Sequence, residues 1–149
     1  MDRFTRGLIA GIISSIIMNV WDFISFYLLK FSNLLYLDWA SIMIYGDKPA
    51  NLSEYMFSLI TQIAWSSLLA IFFTFLIPHI TSKNYLIKGA FYGFIISFII
   101  YSVPVLYKIH YLQNVSTNTA ISHAIGSTLW GVVLALMLRW LDITLTINN

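Results

Sequence analysis

Long apolar runs without charge alternate along the chain with short polar breaks. Residues 55–82 hold no Asp, Glu, Lys or Arg, and neither do residues 89–107 or 109–138. A helix crosses about 30 Å of hydrocarbon with about 20 apolar residues, so each run can hold one crossing. A further run, residues 7–21, is interrupted by Asp22 and resumes over 23–29. It predicts one crossing with a carboxylate inside it. The pattern therefore predicts an all-α integral membrane protein, a four-transmembrane-helix bundle with spans over 7–29, 57–80, 87–106 and 119–140 in one transmembrane domain, 1–149. Arg3 and Arg6 precede the first run as in a secretory signal, but the run is long, contains Asp22 and ends in no small-x-small cleavage site. It reads as an uncleaved first helix.

Residues 31–49 break the pattern, being apolar but short and split by Asp38. Asp38 is a candidate N-cap, with helix over Trp39 to Tyr45 and Gly46 as its stop. A short interfacial helix over 38–46 follows, serving either as cover for the bundle mouth or as a gate.

Composition sharpens the class. The chain is 59% hydrophobic and only 9% charged, against about 25% charged in an average soluble domain. That excludes a soluble enzyme, a disordered chain and a nucleic-acid binder. The formal charge of +2 is too small to draw a polyanion. Cysteine is absent, which removes disulfides, thiolate metal sites and thiol nucleophiles.

Orientation follows from Lys and Arg. Arg3, Arg6, Lys83, Lys88 and Arg139 would share one side, and Lys30, Lys48 and Lys108 the other. The five-to-three split predicts a multi-pass protein of the cell's inner membrane with both termini cytoplasmic. Residues 81–84 would form a tight cytoplasmic turn. Trp39, Tyr107 and Tyr111 would join an outer aromatic belt, and Trp140 an inner one.

The spans also repeat. Arg6-Gly7-Leu8-Ile9-Ala10-Gly11 compares with Lys88-Gly89-Ala90-Phe91-Tyr92-Gly93, an offset of 82. Gln62, Ser66-Ser67 and Ala70 compare with His123, Ser127-Thr128 and Gly131, an offset of 61. The difference approximates the length of the extra segment in the first half. Two helical hairpins of the same orientation would be related by an axis along the membrane normal. The pairs Gly7/Gly11, Gly89/Gly93 and Ser122/Gly126, with Gly131, offer small residues where helices can approach closely. Such seams serve packing within one chain or a homo-oligomer.

Polar groups at membrane depth are costly and suggest function. Asp22 lies about 10 Å from the outer end of the first span, with Asn19 on the same face. Gln62, Tyr101 and His123 fall within roughly 6–15 Å of that surface on the other three spans. These five residues form a candidate intramembrane cluster in which Asp22 and His123 meet. It would be a clasp fixing helix register, or a substrate, ion or proton site. Haem between His110 and His123, or a metal on Asp22 and His123, has little support in the pattern, so no cofactor is expected. His79 and His110 read as interfacial. No H-E-x-x-H, G-x-S-x-G or P-loop is present.

Pro78 and Ile80 closing one span, Lys88-Gly89 opening the next, then Ser122-His123, Gly126 and Trp130-Gly131 give the second half a particular look. It resembles small bacterial inner-membrane proteins of the YagU/YqhR type. The resemblance implies a polytopic bacterial membrane protein and no particular activity. Three functions fit: a non-enzymatic structural or accessory membrane subunit, a small transporter or channel component using the outer polar cluster, or an intramembrane enzyme acting on lipid or quinone. The bilayer is the expected partner, with a homo-oligomer or another membrane subunit also allowed. A lateral opening, a through-going path or a closed bundle would separate the three.

Overall fold

The computed structural model describes residues 1–79 and 84–147. Helix α1, Arg3–Phe23, continues through a π-helical turn, Ile24–Leu28. It is followed by α2, Tyr36–Tyr45, α3, Leu52–Leu76, α4, Tyr85–Leu106, and α5, Thr117–Ile147. A 3₁₀ turn, Ile77–His79, ends α3. All except α2 are long and apolar enough to cross a membrane. The chain is a multi-pass membrane protein built as a helical bundle.

Two helix starts, those of α1 and α3, fall outside the apolar runs because polar residues cap them. The Asp2 carboxylate accepts from Thr5 N at 3.0 Å, which moves the start of α1 from the predicted 7 to Arg3. Asn51 Oδ1 accepts from Glu54 N at 3.0 Å, and α3 begins at Leu52 instead of 57. Helices α4 and α5 begin two residues early, and α5 extends past 140. The predicted turn over 81–84 lies mostly outside the described residues, as do Ile80 and Lys83. Beyond the π turn, Lys30 in a left-handed conformation, φ 50°, turns the chain off the helix axis.

Helix α2 differs from expectation at its start. Asp38 is not the N-cap. Leu35 occupies that place, and Asp38 sits one turn inside, with Oδ2 accepting from Leu35 N at 2.8 Å. Gly46 does end the helix, at φ 83°, where glycine avoids a Cβ clash.

Helix α3 packs on α1, α1 on α5, and α5 on α4. The ends of that series, α3 and α4, are bridged by Tyr92. Its ring lies 4.8 Å from Phe73, and its hydroxyl donates to the Leu69 carbonyl at 2.8 Å. Arg6 pairs with Asp142, so the start of α1 and the end of α5 lie together. Opposite this termini end, α2 lies across the bundle and packs on α3.

The two hairpins, α1–α3 and α4–α5, share one packing scheme. A Cβ on Gly7 would stand 2.8 Å from Ile71 Cα and Thr74 Oγ1, and one on Gly11 2.8 Å from Ala70 Cβ. A Cβ on Gly89 would strike the Gly131 carbonyl and Ala135, and one on Gly93 the Ser127 carbonyl. Shifting Thr74 and Ala70 by 61 gives Ala135 and Gly131, so the seams repeat in register. In the second hairpin the two helix backbones meet directly at Gly89, Gly93 and Gly131. Ser122 and Gly126 do not belong to that seam. They face α1 and the π turn that continues it, where Ser122 Oγ bonds Ser25 Oγ at 2.6 Å and a Gly126 Cβ would lie 3.0 Å from the Trp21 ring.

Candidate functional site

Asp22, in the last turn of α1, is fully buried. Its Oδ2 accepts from the backbone N–H of Tyr36, the first residue of α2, at 2.6 Å. A carboxylate at a helix N-terminus satisfies an orphan amide and complements the helix dipole. A buried Asp at the centre of a span costs about 2.5–3.5 kcal/mol on insertion scales, and this placement offsets part of that. Oδ1 accepts no hydrogen bond and lies 3.4 Å from His123 Nε2.

His123, fully buried on α5, is the hub of the α2 end. Its Nε2 lies 3.0 Å from the Leu34 carbonyl oxygen, and its Nδ1 2.8 Å from the Tyr101 hydroxyl. The Tyr36 ring stacks on the imidazole, centroids 4.1 Å apart at 18°. The Tyr36 hydroxyl donates to the His123 carbonyl. Burial, then the negative charge of Asp22, pushes the Tyr36 phenol well above its ordinary pKa, so it remains a neutral donor. Nearby, Asn33 N donates to Thr119 Oγ1 at 2.8 Å, and Trp21 Nε1 to the Ser122 carbonyl at 3.0 Å. Asp22 and His123 together latch the segment between α1 and α2 onto α5.

Asn19 and Gln62 form a separate pair. Asn19 Nδ2 donates to Gln62 Oε1 at 2.8 Å, and Gln62 Nε2 donates to Ser66 Oγ at 3.2 Å. Adding 82 to Asn19 gives Tyr101, and adding 61 to Gln62 gives His123. Each hairpin thus carries one hydrogen-bonded rung at the same place in the repeat.

Between α3 and α4, on the α2 side of Tyr92, a cleft of about 360 Å³ enters the bundle. Helix α2 roofs it with Tyr36, Trp39 and Met43, while Met18, Gln62, Ser66, His123, Ser127 and Trp130 form its inner wall. At its mouth, Trp65 and Ile99 are exposed at membrane depth. The opening lies on the side of the bundle between two candidate spans, and Met43 and Ile44 of α2 are exposed at its rim as well. No Asp, Glu, Lys or Arg lines it, and Asp22 lies behind His123, outside the lining.

Two cleft residues were missed as site residues in the sequence. Trp39, expected in an aromatic belt, is instead buried, its ring 4.7 Å from Tyr101 and 6.2 Å from His123. Trp130 is 2% exposed and stacks on Tyr92. Both indole N–H groups are buried with no hydrogen-bond partner. Tyr36 and Trp39 stand three apart on α2, a spacing that puts them on one face. Their direction could not be read among so many aromatics. His110 is exposed beside Tyr111, and Tyr107 and Trp140 are also exposed. Among the described residues, no group of three His, Asp or Glu side chains converges as metal ligands.

The chain matches no family model, no curated protein and no solved structure.

Proposed function

We propose that the protein is a non-enzymatic membrane subunit that takes a lipid-soluble molecule sideways from the bilayer into the cleft between α3 and α4. The carrying observation is the cleft itself: about 360 Å³, apolar, open on the side of the bundle and crossed by few polar groups. That combination is the usual form of a small-molecule site. The latch reading accounts for Asp22 and His123, since both are engaged in holding the α2 segment. A channel through Asp22 is less favoured because the carboxylate is sealed from the cleft. We take the membrane to be the cell's inner membrane, with both termini cytoplasmic, on the distribution of Lys and Arg.

Photolysis of an alkyl diazirine in vesicles holding the protein tests this. Label is expected on Met18 and Ser127, which are 4% and 6% exposed and line the cleft. Ile100→Trp, which fills the cleft, should remove that label and leave labelling of the outward faces unchanged. Label confined to the outward faces of the wild-type protein would overturn the proposal.

A further inference from the structure

Most polar groups of the cleft wall are engaged within the protein. Both His123 ring nitrogens are held, by Leu34 and Tyr101, and the Tyr36 hydroxyl donates to the His123 carbonyl. Gln62 is fixed between Asn19 and Ser66, and Ser127 Oγ donates to the Ala124 carbonyl at 3.1 Å. The Trp39 and Trp130 indole nitrogens are sealed from the open space. Thr61 stands one turn before Trp65 at the mouth. Ser97, on α4, differs. It lines the cleft, is 6% exposed, and its hydroxyl makes no hydrogen bond among the described residues. Asp22 Oδ1 and Ser58 Oγ are unpartnered and sealed, whereas the Ser97 oxygen is unpartnered and keeps accessible surface. A serine inside a helix commonly bonds the carbonyl one turn back, as Ser15 Oγ does to Gly11 at 2.6 Å. Ser97 is the counterpart of Ser15 at the offset of 82, and it makes no such bond to Gly93.

Depth narrows the occupant. Ser97 lies twelve residues after Tyr85, the start of α4, and nine before Leu106, its end. At 1.5 Å per residue these are about 18 and 13 Å, so the hydroxyl stands near the middle of the span. Hydrocarbon at that depth offers no hydrogen-bond donor. A lipid oxygen held there is unpaired in the bilayer and paired in the cleft. A lipid with a terminal hydroxyl has water at the membrane surface and would give it up to reach Ser97. A charged head would find no counter-charge on the walls. Resting on the cleft reading above, we infer that the occupant is a neutral lipid with a carbonyl inside its hydrocarbon chain, and that the Ser97 hydroxyl donates to that carbonyl. The chain lies along the cleft between α3 and α4.

The test is competition against the diazirine label in the same vesicles. Dipentyl ketone should protect Met18 and Ser127 at a membrane concentration ~3–10-fold lower than undecane, the same chain without the oxygen. In Ser97→Ala the two compounds should protect alike. A second readout needs no variant. The carbonyl stretch of dipentyl ketone, isotope-labelled at that carbon to separate it from lipid esters, should fall in frequency when the wild-type protein is present. Equal protection by the two compounds in the wild-type protein would overturn the inference. So would a carbonyl stretch that does not move at full protection, or an undiminished preference for the ketone in folded Ser97→Ala. In each case label on Met18 and Ser127 would still stand for the cleft. Absence of that label without competitor would be failure of the cleft reading itself, and of this inference with it.

Discussion

His123 Nε2 lies 3.0 Å from the carbonyl oxygen of Leu34, an acceptor that has no proton of its own. The imidazole must therefore keep a proton on Nε2. In the neutral ring, Nδ1 is then left to accept from the Tyr101 hydroxyl. The ring's tautomer is thus set by the backbone of the segment that it holds. The same nitrogen faces the unbonded oxygen of Asp22.

Asp22 acts on the fold through the first turn of α2. Asp22→Asn keeps an oxygen for Tyr36 N, although its NH2 then faces the His123 Nε2–H, and should lower thermal stability in detergent less than Asp22→Ala does. Asp22→Ala removes the acceptor and should cost ~1–2 kcal/mol, the range of a lost helix cap. Amide exchange at Tyr36 should then accelerate by roughly 5–30-fold. Equal behaviour of the two variants would exclude the capping role.

The second hairpin tolerates added volume least. Gly93 faces the Ser127 carbonyl and Gly89 faces that of Gly131, both backbone atoms that cannot rotate away. Gly93→Ala should destabilise by about 2 kcal/mol, read as a Tm lowered by several degrees. Gly46→Ala is the control. It meets no neighbour within 4 Å and carries only the strain of φ 83°, so it should cost about 1 kcal/mol. A smaller effect at Gly93 than at Gly46 would remove the seam argument.

Asp38 supplies a pH dependence. Burial raises its carboxyl above 3.8, opposed by the Leu35 N–H and the charge of Lys48. At pH well below 3.8 both folded and unfolded carboxyls are protonated, and burial costs nothing in charge. Above the raised value both are ionised, and the folded state bears the desolvation. Stability from this group is therefore lost as pH rises through the folded value. Asp38→Asn can still accept from Leu35 N. Its Tm advantage over wild type should grow from acid towards neutral pH and then level off. An advantage that shrinks over that range would contradict the assigned cause.

Topology is open to single cysteines, since the chain has none of its own. Asn51→Cys and Gln113→Cys should react with an impermeant maleimide added outside intact cells, and Asn84→Cys only after permeabilisation. The reverse result would invert the orientation. Reaction of all three from outside would exclude the four-crossing arrangement.

The bundle was legible because hydrocarbon imposes a length and forbids charge, and residues 55–82, 89–107 and 109–138 obey both. Helix ends were less so. Asp2 and Asn51 extend helices into polar sequence that hydropathy discounts. The glycine seams could be read because Gly7, Gly11, Gly89 and Gly93 recur at a fixed offset. The same offsets carry Asn19 onto Tyr101 and Gln62 onto His123. A polar rung in each hairpin was therefore available in the sequence, although the residue types differ. The cleft was not available there. It depends on where α3 and α4 part beyond their contact at Tyr92, and no single helix encodes that. Nor was the inward turn of Tyr36 and Trp39, because aromatic residues occur on buried and lipid-facing surfaces alike.

On the proposed uptake from lipid, a mouth between α3 and α4 would change what concentration means for this protein. A guest entering through Trp65 and Ile99 never leaves the oil phase, so water does not appear in its binding equilibrium. Occupancy follows the guest's mole fraction among the lipids. Diluting a vesicle suspension with buffer would leave the site as full as before. Fusing in guest-free lipid at constant volume would empty it. The protein would then gauge the composition of its own membrane, blind to the volume of the compartments on either side.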